Sequence, residues 1–568
     1  MKTYLAFTLG PIYKTLLKAR KTRELWISSY LFSYLMRLLL TEVEKKKIGK
    51  ILLPDISYIN DYRSFHGAGF FNDRCMIELY DGKTFSINDY QTLRNTIIGV
   101  FSGTFSAHPT LLIDPLSEYL QIYGILKDLD LEELKKEENE KKRSVVFILN
   151  KMMDDMERQT VYQPTSSKVV DTLFDKVTEF YSLGFETSEL KTFKKVISIG
   201  NKSVDILSFP SVVEIATKQL RIKQPKYNNV VDELLKEGLP LLISEKKDEL
   251  IDANDAEIIK KLKKSFPTDF KTAHKYICVV NADGDSMGKC SGEIGNDWKK
   301  LDIFSKNMAV FARESADIIH KYGGHPVYIG GDDLFFLAPV LSTVNGIDQT
   351  IFELIKRLDD CFKEIWNKNK ILGVSVQTSM SYGISITYYK YPLAEAISLS
   401  HSLLQDNAKK APGKNALTVQ VMHHSGQYGK TVFEKKAGGS FDEFLSLLKD
   451  FPAKDTFINS VHERIRSDRT LIETIGLDDP IDFGGYFNNE YDIANMRDHA
   501  KKEFIEHSIE IFASMFEEQK EVRRKKEEEL RKKGDIDFSK LPKVEDEALS
   551  QLDTIYRLLN FLIRSDND

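Results

Sequence analysis

The stretch that most constrains this chain runs from Tyr328 to Phe336 and reads Tyr-Ile-Gly-Gly-Asp-Asp-Leu-Phe-Phe. Because glycine adopts backbone conformations that other residues avoid, the pattern predicts two strands joined by a tight turn. This turn would carry Asp332 and Asp333 into solvent. Adjacent carboxylates repel each other, so the pair suits a cation such as Mg²⁺, although aspartate and glycine are also common in turns that bind nothing.

A second acidic motif precedes this predicted hairpin. Residues 276–282 read as a buried strand, and Asp283-Gly284-Asp285-Ser286 follows it. The elements predicted over residues 276–422 are strand, helix, strand, strand, helix, strand, helix and strand, which is a βαββαβ ferredoxin-like sheet with one added helix and strand. In such a sheet the first strand lies beside the hairpin, so Asp283 and Asp333 would meet and hold two metals about 4 Å apart. This is the palm arrangement for nucleotidyl transfer.

With these motifs in this order, the chain resembles the large catalytic subunit of type III CRISPR effector complexes, specifically the type III-B (Cmr) form. Further stretches agree with that family in chain order: Phe7–Pro11 with Ala19–Trp26, Phe209–Ser211 with Glu214–Ala216, and Tyr389–Leu393 with Ser425-Gly426. A diguanylate cyclase matches less well, because Asp333 stands where that family has glutamate and because the N-terminal motif would be unexplained.

The resemblance implies an α+β protein with two ferredoxin-like palm domains and helical accessory domains. We expect a catalytically silent first palm over residues 1–104, a mostly helical middle domain over 105–269, the second palm over 270–426 and a C-terminal helical domain over 427–568. A chain of 568 residues is long enough for several such domains. Residues 116–129 have a helical period, and residues 145–158 form a predicted helix whose acidic side chains read as a solvated face.

The expected metal ligands are also the expected catalytic residues. Asp283, Asp332 and Asp333 would hold Mg²⁺ or Mn²⁺ while ATP binds beside them. Asp285 would support these ligands, backbone N–H groups of the turn would approach phosphate, and lysines would bind the triphosphate, although single lysines are commonly solvated. The expected nucleotide-binding residues are Gly284, Asp285, Ser286, Gly330, Gly331, Lys409, Lys414, Asp73 and Arg74.

Asp73 bears on the identity of the acceptor. The resemblance places an asparagine at this position in most members, in a pocket that takes a second ATP. A carboxylate there would repel a triphosphate but attract a cationic acceptor. S-adenosylmethionine, which some relatives join to AMP, carries a sulfonium and an ammonium. The sequence therefore favours this acceptor over ATP alone and cyclic oligoadenylate. It leaves open that Asp73 is an ordinary loop residue, or that the chain is a structural subunit that holds nucleotide without turnover.

Bulk properties narrow the partners and the compartment. The formal net charge of −5 gives no global basic field, so contacts with guide RNA and target RNA would use local patches or other subunits of the Cmr complex. Four cysteines without a Cys-x-x-Cys pair suit a reducing cytoplasm. No apolar run reaches about 18 residues, so we expect no membrane span. No histidine in the chain is directly followed by an aspartate. We therefore expect no activity of the histidine–aspartate (HD) nuclease domain that members of this family often carry.

Overall fold

The computed structural model describes most of the chain. Its described residues are 1–19, 22–60, 66–105, 113, 116–137, 143–158, 194–199, 202–207, 210–223, 249–367, 372–423, 426–449, 455–474, 480–533 and 537–564. Parts of three stretches that carry the family resemblance, at residues 20–21, Phe209 and Ser425, lie outside the described residues.

The N-terminal region forms a four-stranded antiparallel sheet in the order β2-β3-β1-β4. Its elements are β1 (Lys2–Gly10), α1 (Ile12–Leu16), α2 (Thr22–Lys45), β2 (Gly49–Leu53), β3 (Arg74–Leu79), α3 (Ile87–Phe105) and β4 (Gln121–Leu129). This βαββαβ order is ferredoxin-like, so the predicted fold of the first palm is confirmed.

Strand β4 corrects two expectations about the first palm. It pairs with β1 along its whole length, so the palm extends beyond the predicted boundary at residue 104. The helix predicted over residues 116–129 is wrong for most of its length. Ile122, Ile125 and Leu129 are the buried residues of this edge strand, and their spacing of three and four residues imitates the period of a helix.

The middle region contributes short elements that pack on one palm or the other or pair with each other. They are α4 (Leu131–Leu134), α5 (Val145–Arg158), β5 (Lys194–Ile199), β6 (Lys202–Leu207), α6 (Val212–Ala216), α7 (Lys218–Lys223) and α8 (Glu249–Ser265). Helix α5 packs against β1 and β4, which places its acidic residues beside the first sheet.

The second palm is a six-stranded sheet in the order β14-β13-β12-β7-β9-β8. Its elements are β7 (Tyr276–Asp285), α9 (Met287–Ile294), α10 (Trp298–Tyr322), β8 (His325–Gly330), β9 (Asp333–Pro339), β10 (Leu341–Val344), β11 (Ile347–Thr350), α11 (Ile351–Asn367), β12 (Ser379–Tyr388), α12 (Leu393–Ser402), β13 (Ala416–His423) and β14 (Gly426–Glu434). The predicted element order is confirmed. Helix α9 and the β10–β11 hairpin were not predicted, and β14 extends the sheet past the predicted boundary at residue 426.

The first palm covers part of the second. Strand β7 alternates, so Cys278 and Val280 face the main core while Ile277 and Val279 face a second apolar cluster that includes Leu25 of α2. The loop before β3 also joins the edge strand β8. Gly69 donates its N–H to the carbonyl of Val327 (3.1 Å), and its carbonyl accepts from the N–H of Ile329 (2.7 Å). The two palms therefore meet beside the Gly-Gly-Asp-Asp hairpin.

The C-terminal region is helical. Its helices are α13 (Ser440–Lys449), α14 (Asp455–Ser467), α15 (Arg469–Thr474), α16 (Pro480–Tyr491), α17 (His499–Lys532) and α18 (Val544–Ile563). Helix α18 packs on α17 and β14, and its Phe561 ring lies 4.8 Å from the ring of Tyr276, centroid to centroid. Among the described helices, none has the length and apolarity that crossing a bilayer requires.

Candidate active site

The β8–β9 hairpin brings two aspartates to the end of β7. Gly330 pairs with Asp333, which leaves Gly331 and Asp332 as a two-residue turn. Gly331 has a φ of +72°, a backbone conformation that residues other than glycine rarely adopt. Because β9 pairs antiparallel with β7, Asp283 of β7 lies next to this turn. The hairpin predicted from the sequence is therefore present.

Two glycines let this hairpin approach its neighbours closely. A Cβ on Gly284 would lie 2.7 Å from the Cβ of Asp332, and a Cβ on Gly330 would lie 2.6 Å from Asn72 Oδ1 and closer still to the hydroxyl of Tyr328. Gly284 thus gives room for the side chain of Asp332, and Gly330 gives room for a contact with the first palm. The phosphate contacts predicted for these glycines remain a prediction.

The hairpin carboxylates occupy different positions in the cleft. Asp333 is exposed within the cleft and Asp332 is half-buried. The expectation that the turn carries both aspartates into solvent is therefore met by Asp333 alone of the two. Burial, followed by the charge of Asp283, raises the pKa of Asp332 to about 7. Although the side chain of Asp333 is open to the cleft, desolvation by the surrounding protein and the charges of Asp332 and Asp283 raise its pKa as well. Negative charge is therefore costly here without a compensating cation.

Asp285 occupies a different environment from the other acidic residues of the site. It is 2% exposed, and its carboxylate accepts hydrogen bonds from the hydroxyls of Ser379 (2.7 Å) and Ser381 (2.8 Å) and from the N–H of Asn415 (3.0 Å). Although burial opposes ionisation, Lys409 and the two hydroxyls lower the pKa of Asp285. Asp285 therefore anchors the end of β7 inside the protein, and the direct nucleotide contact expected of it does not fit this burial.

Lys409 is held by the same strand end. Its Nζ donates to the carbonyls of Asp283 (2.8 Å) and Gly284 (2.9 Å), and it lies 2.9 Å from Asp283 Oδ2 and 2.8 Å from Asp285 Oδ1. Protein oxygens therefore surround the Lys409 ammonium, and the contact expected between Lys409 and a triphosphate stays a prediction. Lys414 is exposed in a turn with a φ of 59° and lies outside both of the cavities described below.

Ser286, the last predicted residue of this acidic motif, has a φ of 62° and directly precedes α9. The strand end is therefore followed by a helix N-terminus. Backbone N–H groups at such an end favour negatively charged ligands, which fits the phosphate contact expected of this segment.

The donor set at the hairpin fits Mg²⁺ or Mn²⁺. Asp283, Asp332 and Asp333 offer only oxygen ligands, and the charge of Asp283 is close enough to contribute to the raised pKa of Asp332 and of Asp333. Their oxygens do not all converge within 4.8 Å, and Lys409 contacts one oxygen of Asp283. Within the described ranges, the trio of potential ligands that does converge is Glu443, His507 and Glu510, which lies on α13 and α17 away from the palms.

Two cavities flank the aspartates. Cavity A, of about 280 Å³, lies between the first palm and helices α9 and α10. Cavity B, of about 470 Å³, lies between β1, α1 and the strands of the second palm. Asp332 lines cavity A, whereas Asp283 and Asp333 line cavity B. Asp73 lines both, so the structure brings this predicted residue together with the predicted catalytic aspartates.

A network between cavities A and B holds Asp73 and Arg74 in place. Burial raises the pKa of Asp73 to about 6, although the charge of Arg74 opposes the shift. Arg74 Nη2 lies 2.7 Å from Asp154 and 2.9 Å from Glu157 on α5, and Thr8 Oγ1 donates to Glu157 (2.5 Å). Arg74 thus lines cavity A while its guanidinium is paired with protein carboxylates, and the nucleotide contact expected of it stays a prediction.

Glu157 is a site residue that the sequence reasoning missed. It lines cavity B, but the acidic residues of α5 were interpreted as a solvated face. The available signal was the spacing of Asp154 and Glu157, which puts both carboxylates on one face of α5. Nothing in the sequence showed that this face meets Arg74.

Comparisons with known proteins match the regions of both palms. The model described as "Cas10/Cmr2, second palm domain" matches residues 276–418, and that of "CRISPR-associated protein Cmr2, N-terminal" matches residues 4–110. The CRISPR system Cmr subunit Cmr2 of Pyrococcus furiosus is 28% identical over 178 residues, which are 27% of this chain and 19% of that protein. The match therefore spans about a fifth of this curated relative.

Solved structures share the fold at low sequence identity. The type III-B Cmr-beta complex bound to cognate target RNA contains a chain that is 12% identical, with a TM-score of 0.55 over 88% of this chain and 79% of that chain. The apo state of Cmr-beta matches with 12% identity and a TM-score of 0.49 over 84% of this chain and 76% of that chain. At this identity the first likeness indicates a common fold.

Proposed function

Because this chain belongs to the Cas10/Cmr2 family of CRISPR effector subunits, we propose that it is a nucleotidyltransferase that makes an AMP-containing second messenger from ATP. The reaction forms a bond between the α-phosphate of ATP and a hydroxyl of an acceptor, and it releases pyrophosphate. We lean toward S-adenosylmethionine as the acceptor. The alternative is that ATP is both donor and acceptor, with cyclic oligoadenylate as the product.

The observation that carries the proposal is the position of the three aspartates between two cavities. Asp332 lines cavity A, and Asp283 and Asp333 line cavity B. A donor in one cavity and an acceptor in the other would meet at these carboxylates. Holding two reactants in this way makes their reaction effectively intramolecular.

Cavity A suits the donor ATP. Met287, Phe304 and Met308 give it an apolar surface for the adenine, and Ser291 and Ser305 supply polar groups. The N-terminus of α9 follows the strand end that carries Asp283, so the donor phosphates would lie near this helix end.

The aspartates would hold Mg²⁺ or Mn²⁺. When bound, the metal ions activate the attacking hydroxyl and neutralise the triphosphate and the leaving pyrophosphate. The protein itself contributes position: Gly284 gives Asp332 room, and Lys409 and Asp285 fix the strand end that presents Asp283. Asp283, Asp332 and Asp333 are therefore the proposed catalytic and metal-binding residues.

Cavity B suits a cationic acceptor. Asp73 and Glu157 both line it, and their charges would attract the sulfonium and ammonium of S-adenosylmethionine. The same carboxylates would repel the triphosphate of a second ATP. With a pKa of about 6, Asp73 is mostly ionised at pH 7.5.

We further propose that the chain works inside a type III-B Cmr complex with guide RNA, and that target RNA switches synthesis on. The Cmr-beta complex that contains a chain of this fold is described as bound to cognate target RNA, which supports this proposal. The four cysteines are free, as they would be in the reducing cytoplasm where such a complex would act.

Mass spectrometry of the reaction products tests the proposed function. The assembled complex with guide and target RNA is incubated with Mg²⁺ and ATP, with and without S-adenosylmethionine. We expect a species that contains AMP and appears only when S-adenosylmethionine is present. Cyclic oligoadenylates from ATP alone would keep the catalytic assignment and overturn the acceptor. An Asp332→Ala/Asp333→Ala variant should assemble normally and make no product. No product from the unaltered complex would favour a structural subunit.

An Asp73→Asn variant tests the acceptor assignment. Removing this charge should weaken the use of S-adenosylmethionine by about tenfold in kcat/KM, which corresponds to about 1.4 kcal/mol. Asp81→Asn is the matched control, since Asp81 follows the same strand and lines neither cavity. Unchanged kcat/KM in Asp73→Asn would show that the electrostatic argument is wrong.

A further inference from the structure

We propose that Tyr13 and His401 form an aromatic platform in cavity B that binds the adenine of the acceptor. This inference rests on the proposed function, because it takes cavity B as the acceptor cavity. It applies to adenosine itself, the chemistry that S-adenosylmethionine and ATP share, so it does not depend on which of the two is the acceptor.

The two rings lie next to each other at the wall of the cavity. Tyr13 belongs to α1 of the first palm and His401 to α12 of the second, and their ring centroids are 5.0 Å apart with 40° between the ring planes. Both side chains line cavity B, and Tyr13 is 41% exposed. A purine base stacks favourably on an aromatic ring whose face is exposed to a binding cavity.

The platform is held rigidly. Next to Tyr13, the hydroxyl of Thr15 is hydrogen-bonded to that of Tyr119 (2.6 Å), and Leu16 is buried in the apolar cluster under the second sheet. His401 is half-buried, and burial lowers its pKa, so its imidazole is neutral at pH 7. A neutral ring stacks on adenine without the cost of removing a charge from water.

The rest of cavity B complements the other parts of the acceptor. Gln405 lines the cavity near His401, and a glutamine amide can pair with the amino group and a ring nitrogen of adenine. Asp283 and Asp333 line the region where the reacting ribose hydroxyl must lie. Asp73 and Glu157 line the remaining wall, where the third part of the acceptor would extend. The cavity thus offers separate groups for base, ribose and tail.

Steady-state kinetics on the assembled complex test the platform. At saturating ATP, Tyr13→Leu and His401→Leu should each raise the KM for S-adenosylmethionine about tenfold, since stacking on one ring has about this effect on a base, while kcat changes less than twofold. Tyr13→Phe should restore the KM. Tyr80→Leu is the control, because Tyr80 is 49% exposed and lines neither cavity.

Equilibrium dialysis with labelled ligand gives a readout that does not need turnover. Without divalent metal, S-adenosylmethionine should bind the unaltered complex and bind Tyr13→Leu about tenfold more weakly. If ATP is the acceptor, a non-hydrolysable ATP analogue should occupy two sites in the unaltered complex and one in Tyr13→Leu. Either result supports the platform even if synthesis is not detected, so failure of the proposed function and failure of the platform are distinguishable.

Four outcomes would overturn the platform. The first is KM and binding in Tyr13→Leu and His401→Leu within twofold of the unaltered complex. The second is an equal loss in Tyr80→Leu, and the third is a rise in the KM for donor ATP that matches the rise for the acceptor. A loss that Tyr13→Phe does not restore would likewise count against stacking, because phenylalanine keeps the ring.

Discussion

Asp332 and Asp285 have the same side chain, but their surroundings shift the two pKa values in opposite directions. Asp285 is ion-paired with Lys409 and bonded to two serine hydroxyls, which lower its pKa. Asp332 faces Asp283, no cationic side chain among the described residues is paired with its carboxylate, and its pKa rises to about 7. One carboxylate therefore stabilises the fold, while the other is held ready for a cation at the cost of stability.

An Asp332→Asn variant should make the metal-free protein more stable at pH 8. The folded state raises the pKa of Asp332 from 3.8 to about 7, so ionisation costs stability as pH rises between these values, and the full cost is present above pH 7. Differential scanning calorimetry in EDTA should show a Tm about 2–4 °C higher for Asp332→Asn at pH 8 and no difference near pH 4.

Asp302→Asn serves as the control for this measurement, because Asp302 lies exposed on α10 and pairs with Lys306. Mg²⁺ should raise the Tm of the unaltered protein more than that of Asp332→Asn, since only the former keeps all three proposed ligands. A lower Tm for Asp332→Asn at pH 8 would show that Asp332 has a stabilising partner.

At this scale the sequence predicts residue types better than roles. Asp283, Asp332 and Asp333 were found because adjacent charges next to glycines form a local pattern. Lys409 was expected to bind a triphosphate, and the structure places it on the carboxylates of β7, at the end of the π-helical and 3₁₀ turns that follow α12. Such a contact spans more than a hundred residues, and no short-range pattern encodes it.

The hairpin is the element on which the site depends, and its contact with β7 requires a glycine. Gly284→Ala should displace the hairpin, since the new Cβ would lie 2.7 Å from the Cβ of Asp332 and 2.9 Å from its Oδ2. We expect product formation to fall at least tenfold, with assembly of the complex retained. Product yield by mass spectrometry and gel filtration measure the two effects.

The matched control for this change is Gly99→Ala on α3. A Cβ there would meet nothing within 4 Å, and alanine in a helix is more stable than glycine by about 0.5–1 kcal/mol. Full activity in Gly284→Ala would mean that Asp332 can move without loss, which contradicts the proposed position of the metal ligands.

Elements with a strong period were predictable, and elements at edges were not. The buried strand β7 and the helix α10 follow from continuous apolar and helical patterns. Strand β4 was predicted as part of a helix because a sheet edge buries only a few of its side chains. Strand β14 was missed because it is the edge strand of the second sheet on the side away from β8. Its hydrogen-bonded pairing with β13 defines it as a strand, and its sequence has no hydrophobic alternation that would have predicted it.

For the molecule as a whole, the site depends on how the first palm is held against the second. The resemblance predicted two palms, and the structure adds the loop over residues 66–72 that connects them. Within this loop, His66 contacts Asp317 of α10 (2.6 Å), and Gly69 is bonded to β8. Asn72 lies against Gly330 of the hairpin, so the loop carries Asn72 and Asp73 to the site.

Ser33 holds this loop to helix α2. Its buried hydroxyl oxygen accepts hydrogen bonds from the N–H groups of Phe70 and Phe71, both at 2.8 Å. Ser33→Ala would leave these two buried donors without that acceptor, at a cost of about 1–3 kcal/mol for each unsatisfied group. Because the loop would then loosen beside the hairpin, we expect kcat/KM for the acceptor to fall at least tenfold. Mg²⁺ binding, which is measured by the rise in Tm on adding Mg²⁺, should change little.

Ser28→Ala separates the effect on this loop from the loss of any buried hydroxyl on α2. Ser28 is as deeply buried on the same helix, but its hydroxyl bonds to the carbonyl of Glu24 within that helix. Its removal should therefore leave kcat/KM within about twofold, because a bond inside the helix does not position the loop. If the two variants lost activity equally, the first palm would act through general stability. A loss confined to Ser33→Ala would show that the first palm sets the geometry of the acceptor side of the proposed active site.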